Sequence, residues 1–166
     1  MAAWVGANRF LQATWRRQEW ITLTVRVVLA AILFTAGYAK FSEAQGLQKV
    51  AVSSYRILPK SAIAPVAFGL PVLEMALAVM IVIGLATRVM AICVGLLFII
   101  FIAGIISVWA RGLSIDCGCF GGGGLVAKGQ THYLREILRD LGFLVLAVWL
   151  VLFPRGKAAI DRWLGL

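Results

Sequence analysis

Two of the chain's three cysteines, Cys117 and Cys119, stand one residue apart in the run Ile115-Asp116-Cys117-Gly118-Cys119-Phe120-Gly121, which continues into Gly122, Gly123 and Gly124. Thiols this close can join in a small disulfide ring, and Gly118 gives the backbone the dihedral freedom such a ring needs. A ring of that size is strained, and strained, exposed disulfides are catalytic or regulatory more often than structural. The chemistry to look for is reversible cycling between dithiol and disulfide. A metal is the competing use, with Cys117, Cys119 and His132 as ligands. However, Cys-x-Cys with one distant histidine is not a zinc spacing and lacks a fourth ligand, so no metal is expected. Cys93 lies inside an apolar run and reads as a small buried hydrophobe, not as a redox partner.

The elements that must hold this pair are membrane spans. The 166 residues are 62% hydrophobic and 14% charged, with a mean hydropathy of +0.96. Soluble domains are roughly 45–50% apolar. The net charge of +9 points to basic residues at span ends meeting anionic headgroups, not to nucleic acid. Four spans are expected, over about 20–39, 62–86, 88–109 and 131–153. The fourth is apolar only from Leu141 to Phe153, too short for a core of roughly 30 Å, and must borrow the preceding turns. Residues 1–19 form a basic interfacial segment, with Trp4, Leu11 and Trp15 on one helical face and no signal-peptide pattern. Residues 20–153 form the membrane domain and 154–166 a short basic tail. The fold class is all-α, a polytopic four-helix bundle.

Four spans put both termini on one side, and the 40–61 connection and the cysteine loop on the other. The 40–61 connection is long enough to fold a short helix over the bundle end, whereas the turn at Thr87 makes spans two and three a tight hairpin. Basic residues on the two sides number seven (9, 16, 17, 88, 155, 157, 162) and six (40, 49, 56, 60, 111, 128), too even to set orientation. Dithiols that trade disulfides work on the oxidising side, so the termini are expected inside and the cysteines outside.

Charges inside spans are costly and mark function or register. Arg26 and Glu74 are expected to pair across neighbouring helices, either fixing register or forming a polar pocket. Arg26, Gly37 and Lys40 share one face of the first helix at about 100° per residue. That places Gly37 for close helix approach and Lys40 where the cysteine loop emerges, as a cation able to favour a thiolate. Glu136 and Arg139 form an i,i+3 pair on the fourth helix, with Arg139 and Asp140 bordering the loop.

In these features the chain resembles the MauE (methylamine utilisation) branch of the DoxX-like membrane proteins. The resemblance runs over about 22–153. It rests on Arg26, Gly37 and Lys40, on Tyr55-Arg56-Ile57-Leu58-Pro59, on Leu70-Pro71-Val72-Leu73-Glu74, on Asp116-Cys117-Gly118-Cys119-Phe120-Gly121, and on Arg139-Asp140. It implies a DoxX-like four-helix protein of the bacterial inner membrane, tied to disulfide formation in an extracytoplasmic dehydrogenase subunit through a thioredoxin-like partner. The reading that follows is a thiol–disulfide oxidoreductase with Cys117, Cys119 and Lys40 as catalytic residues. A membrane quinone would take the electrons at a pocket shaped by Arg26, Glu74 and Arg139. The alternative is a non-catalytic accessory subunit of a larger membrane redox or photosynthetic complex, its apolar faces packed on other membrane subunits.

Overall fold

The computed structural model describes residues 2–127, 129, 131–154, 156–157 and 159–161, without the side chains of residues 2–16 and of Gln45. The interfacial face expected from Trp4, Leu11 and Trp15 therefore lies outside the described residues, as do Lys128, Arg155 and Arg162. Five helices and one short strand pair follow in order: α1 (Ala2–Ser42), α2 (Gln45–Ser54), α3 (Lys60–Ile83), α4 (Thr87–Ala110), β1 (Ile115–Asp116), β2 (Gly124–Leu125) and α5 (Tyr133–Leu152). Among the described residues, Arg17–Ser42, Lys60–Ile83 and Thr87–Ala110 are long and apolar enough to cross a membrane. α5 completes the bundle, with its charges gathered in its first two turns. The protein is a polytopic all-α membrane protein, and among the described residues the antiparallel pair β1–β2 is its departure from helix. The basic segment and the first span are a single unbroken helix.

The core is aliphatic and small-residue-rich: Leu29, Leu33, Leu77, Ile81, Val94 and Leu150 are buried together, with Phe98 set against Phe143 at 5.5 Å. α1 packs chiefly on α3, and α4 chiefly on α5. The hairpin expected of spans two and three exists as a connection, but each helix finds its main partner elsewhere. Gly37 is the reason α1 and α3 can approach. A Cβ there would sit 2.9 Å from the Pro71 carbonyl oxygen and 2.8 Å from Met75 Cγ, closer than real contacts allow. Outward faces carry Val28, Val72, Ile100 and Val145, all exposed in the isolated chain and suited to lipid. Cys93 lies on such a face and is exposed. It is neither buried nor near the other cysteines, because α4 turns it away from the bundle axis.

The end of the bundle that holds the termini shows where Arg26 is used. A helix leaves its last four carbonyls without intrahelical donors, and an apolar setting makes each one costly. For α3 all four are satisfied. Gly84, left-handed at φ 69°, turns its N–H and that of Leu85 back onto Met80 O. Arg26 donates from Nε to Ile81 O at 3.0 Å and from Nη2 to Val82 O at 2.8 Å. Ile160 N–H donates to Ile83 O at 3.2 Å. A cation at this helix end also meets the negative pole of the helix dipole. Arg26 thus does not pair with Glu74, and its third contact is Lys157 O at 3.2 Å.

Of the described residues after Phe153, Ile160 and Asp161 dock on the α3–α4 turn. Asp161 accepts from Ala86 N–H at 2.5 Å and from Thr87 N–H at 2.8 Å, closing the start of α4 from outside. Removing such a cap costs about 0.5–2 kcal/mol. Asp161→Ala is therefore expected to lower the thermal midpoint of the detergent-solubilised protein, and Asp161→Asn to lower it less. Equal midpoints for Asp161→Ala and the parent would show the clamp to be idle.

Candidate functional site: a buried dithiol between two ion pairs

At the opposite end, α2 folds over the bundle mouth as expected of the 40–61 connection. β1 and β2 pair as Ile115–Leu125 and Asp116–Gly124 and hold the intervening loop against α2. Gly118 has φ 64° and Gly123 φ 95°. A Cβ on Gly123 would fall 2.9 Å from both Ala51 Cβ and Gly118 Cα, so the loop folds on itself only with glycine there. The Gly122 N–H donates to Glu43 Oε1, which ties the glycine run to the end of α1. Tyr55 OH donates to Cys117 O at 2.8 Å. Tyr133 OH donates to Leu113 O at 2.5 Å and accepts from Ile115 N–H at 3.0 Å. Arg111 donates to Tyr55 O at 2.6 Å. Tyr55, Tyr133 and Arg111 are positioning residues to which sequence reasoning gave no role at the site, because each acts through a backbone carbonyl or amide whose position only the fold decides.

Cys117 and Cys119 are free thiols, each only 9% exposed, packed with Ile105, Val108 and Tyr133. Their environments differ. The Cys119 backbone N–H donates to Cys117 Sγ at 3.2 Å, and the Arg139 guanidinium approaches the same sulfur at 3.8 Å. The Cys117 thiol is held below the ordinary thiol range, first by its hydrogen bond with the Cys119 thiol, then by the Cys119 amide and Arg139, against burial and the Glu136 carboxylate. The Cys119 thiol is pushed well up, by donating to Cys117, by burial and by the negative charge on Cys117. One sulfur is therefore the more acidic of the pair and the other holds its proton more tightly.

Two ion pairs flank the dithiol. Lys40 Nζ lies 2.5 Å from Glu74 Oε1, with side chains 9% and 1% exposed. Arg139 Nε lies 3.0 Å from Asp140 Oδ1, and its Cζ sits 4.9 Å over the Phe120 ring. So Glu74 is paired by Lys40, where Arg26 was expected. Arg139 bonds to Asp140, where Glu136 was expected. The cation at the sulfur is Arg139, whereas Lys40 is engaged by Glu74. Fourteen residues at 1.5 Å each separate Arg26 from Lys40 by about 21 Å, so Arg26 belongs to a different site.

A cavity of about 520 Å3 opens beside the pair, lined by Cys117, Cys119, Lys40, Tyr55, Leu70 and Phe101 among others. That lies within the usual range for small-molecule sites of about 300–1,000 Å3. Of the residues expected to shape a cofactor pocket, Arg26, Glu74 and Arg139 do not line it, while Lys40 does. His132 lies in a separate hollow with Trp109 and Tyr133. Among the described residues, the group of sulfur and carboxylates at the dithiol is Asp116, Cys117 and Glu136, within 4.8 Å of one another, and His132 is not in it.

The family model described as "Methylamine utilisation protein MauE" matches residues 18–153. A relative named "Methylamine utilization protein MauE" from Paracoccus denitrificans is 33% identical over 132 residues, covering 79% of this chain and 68% of the relative. No solved structure matches the chain.

Proposed function

Because this chain belongs to the MauE family of methylamine utilisation proteins, we propose that it is a thiol–disulfide oxidoreductase of the bacterial cytoplasmic membrane. Its termini lie inside, and the Cys117–Cys119 pair lies at the extracytoplasmic face, where it exchanges with a thioredoxin-like protein. The observation that carries this reading is the inequality of the two thiols, with Arg139 3.8 Å from Cys117 Sγ and the Cys119 amide on the same sulfur. A structural disulfide needs no such asymmetry; an exchanging pair needs one sulfur that attacks and leaves well and one that resolves.

Starting from the Cys117–Cys119 disulfide, a partner thiolate attacks Cys117 and Cys119 leaves, taking up a proton. The partner's second thiolate then attacks the mixed disulfide and releases Cys117 as a thiolate, stabilised by Arg139. The partner loses two electrons and the pair gains two. In the reverse sense, Cys117 attacks a disulfide and Cys119 closes the ring. Arg139 is held for this role by Asp140 and by Phe120. Lys40 pairs Glu74 beside the same cavity.

The cavity suits a quinone. Val66, Leu70, Ile100 and Phe101 offer an apolar wall, and Lys40, Gln48 and Tyr55 bring polar atoms to its edge. A quinone bound there would supply a two-electron, two-proton acceptor. Lys40, rather than the distant Arg26, is the cation that would face it.

Thiol trapping in cells tests the exchange. Cys119→Ser is expected to accumulate a mixed disulfide with a thioredoxin-fold protein through Cys117, while Cys117→Ser accumulates none. If both variants leave growth on methylamine and the partner's redox state unchanged, and the protein stays stoichiometric in a larger membrane complex, the accessory-subunit reading replaces this one.

A further inference from the structure

Exchange at this pair leaves one proton to account for. Cys117, the more acidic thiol, attacks as its thiolate, and the Cys119 thiol must then lose its proton before the disulfide can close. Both cysteines are 9% exposed, so bulk water is a poor acceptor at the sulfurs. Two carboxylates lie within 4.8 Å of Cys117 Sγ, those of Asp116 and Glu136. Asp116 is exposed and accepts from the Gly118 N–H at 3.3 Å, a bond that shapes the turn. Glu136 differs: its Oε2 is buried and has no hydrogen-bond partner among the described residues. Arg139, the cation that acts electrostatically on Glu136, donates to Asp140 and approaches Cys117. The other titratable groups around Glu136 are Asp140 on its own helix, Asp116 and Cys117 from the loop, and Tyr55 after α2.

Resting on the oxidoreductase reading, we propose that Glu136 is the proton acceptor and donor of the Cys117–Cys119 pair. After Cys117 has attacked a disulfide, the Cys119 thiol, which lies against the same Cys117 sulfur as the Glu136 carboxylate, gives its proton to that carboxylate. The resulting Cys119 thiolate attacks Cys117 Sγ, the intramolecular S–S bond forms, and the other sulfur departs as a thiolate. The cysteine pair loses two electrons, the incoming disulfide gains two, and the proton stays on the half-buried Glu136 until it passes to solvent. In the opposite direction Glu136 returns the proton to Cys119 as it leaves.

The test uses the full chain in detergent with Cys93→Ser, reduced and then mixed with 2,2′-dithiodipyridine, which releases one thiopyridone when Cys117 attacks and a second when Cys119 closes the ring. Glu136→Gln is expected to keep or quicken the first release, since losing the nearby negative charge favours the Cys117 thiolate. It is expected to slow the second by about 100-fold, the usual range for a lost acid–base group being 10²–10⁴. Glu136→Asp should fall between, and a carboxylate inflection in the pH dependence of the second release should vanish in Glu136→Gln. Parental second-phase rates and an unchanged pH profile in Glu136→Gln would overturn the proposal while leaving the oxidoreductase reading intact. A parent protein that releases no thiopyridone would overturn the oxidoreductase reading and this proposal with it. A thermal melt of each variant separates misfolding from a lost proton step, and Glu136→Asp serves if Glu136→Gln does not fold.

Discussion

Lys40→Met is expected to destabilise the bundle by about 3–5 kcal/mol, the usual cost of removing one partner from a buried ion pair. Glu74 is 1% exposed, and its Oε1 has Lys40 Nζ at 2.5 Å as partner. Its Oε2 has no hydrogen-bond partner among the described residues. Taking away Lys40 would leave the carboxylate facing Pro71, Gly37 and apolar side chains. The loss falls where α1 and α3 are closest, one helical turn from Gly37, so it should loosen the contact that aligns α1 with α3. Lys40 also sits 5.2 Å from the Phe101 ring centroid, which adds packing that methionine only partly replaces. The double variant Lys40→Met/Glu74→Leu, which removes both charges, should recover most of the loss. Thermal unfolding of the detergent-solubilised full chain reads the effect. A Lys40→Met midpoint within a degree or two of the parent would mean that the pair does not hold the bundle.

The second large effect is on reactivity. Arg139→Gln is expected to slow alkylation of Cys117 at pH 7 by about tenfold or more, the equivalent of one unit or more in the thiol's pKa. The sign follows from the chemistry. The thiolate reacts and the thiol does not, so the rate rises with pH through the thiol's midpoint. In the parent that midpoint is held below the ordinary thiol range by Cys119 and Arg139. Removing the cation raises it, the more so because Asp140, 1% exposed, loses the partner that now lies 3.0 Å from its Oδ1. The difference should be largest near neutral pH and disappear at a pH above both midpoints. Arg139→Lys should keep part of the effect, because it keeps the charge and loses the planar contact over Phe120. Fragment-ion mass spectrometry of the alkylated peptide separates Cys117 from Cys119, and Cys93 falls in another part of the chain, so the thiol pair need not be altered. Parental alkylation rates in Arg139→Gln across the pH range would remove Arg139 from the site.

Both predictions concern side chains that the sequence marked without saying what they touch. Arg26, Gly37 and Lys40 share a face of α1, so either cation could have met Glu74. Only the axial register of α3 against α1, set where Gly37 meets Pro71, puts Glu74 level with Lys40. Arg26 falls instead at the end of α3, where unsatisfied carbonyls bind it. The Glu136–Arg139 spacing had the same ambiguity. On α5 the guanidinium turns to Asp140 and Cys117, and Glu136 turns toward the dithiol loop. Asp161 could not have been foreseen as a cap for α4, because the chain must first return across the bundle end to reach Ala86 and Thr87.

The sequence alone determined the membrane class, the three apolar spans, the short helix over the mouth and the nearness of the two thiols. Each of these is set by local composition, hydropathic length or covalent adjacency, which need no knowledge of neighbours. Tertiary structure decided which cation faces which anion, which cysteine is the more acidic and where the cavity opens. Those depend on the rotation and register of packed helices, where a shift of one residue turns a side chain by about 100° and moves it 1.5 Å along the axis. Hydropathy is nearly blind to such a shift, but the partners of a buried charge are not.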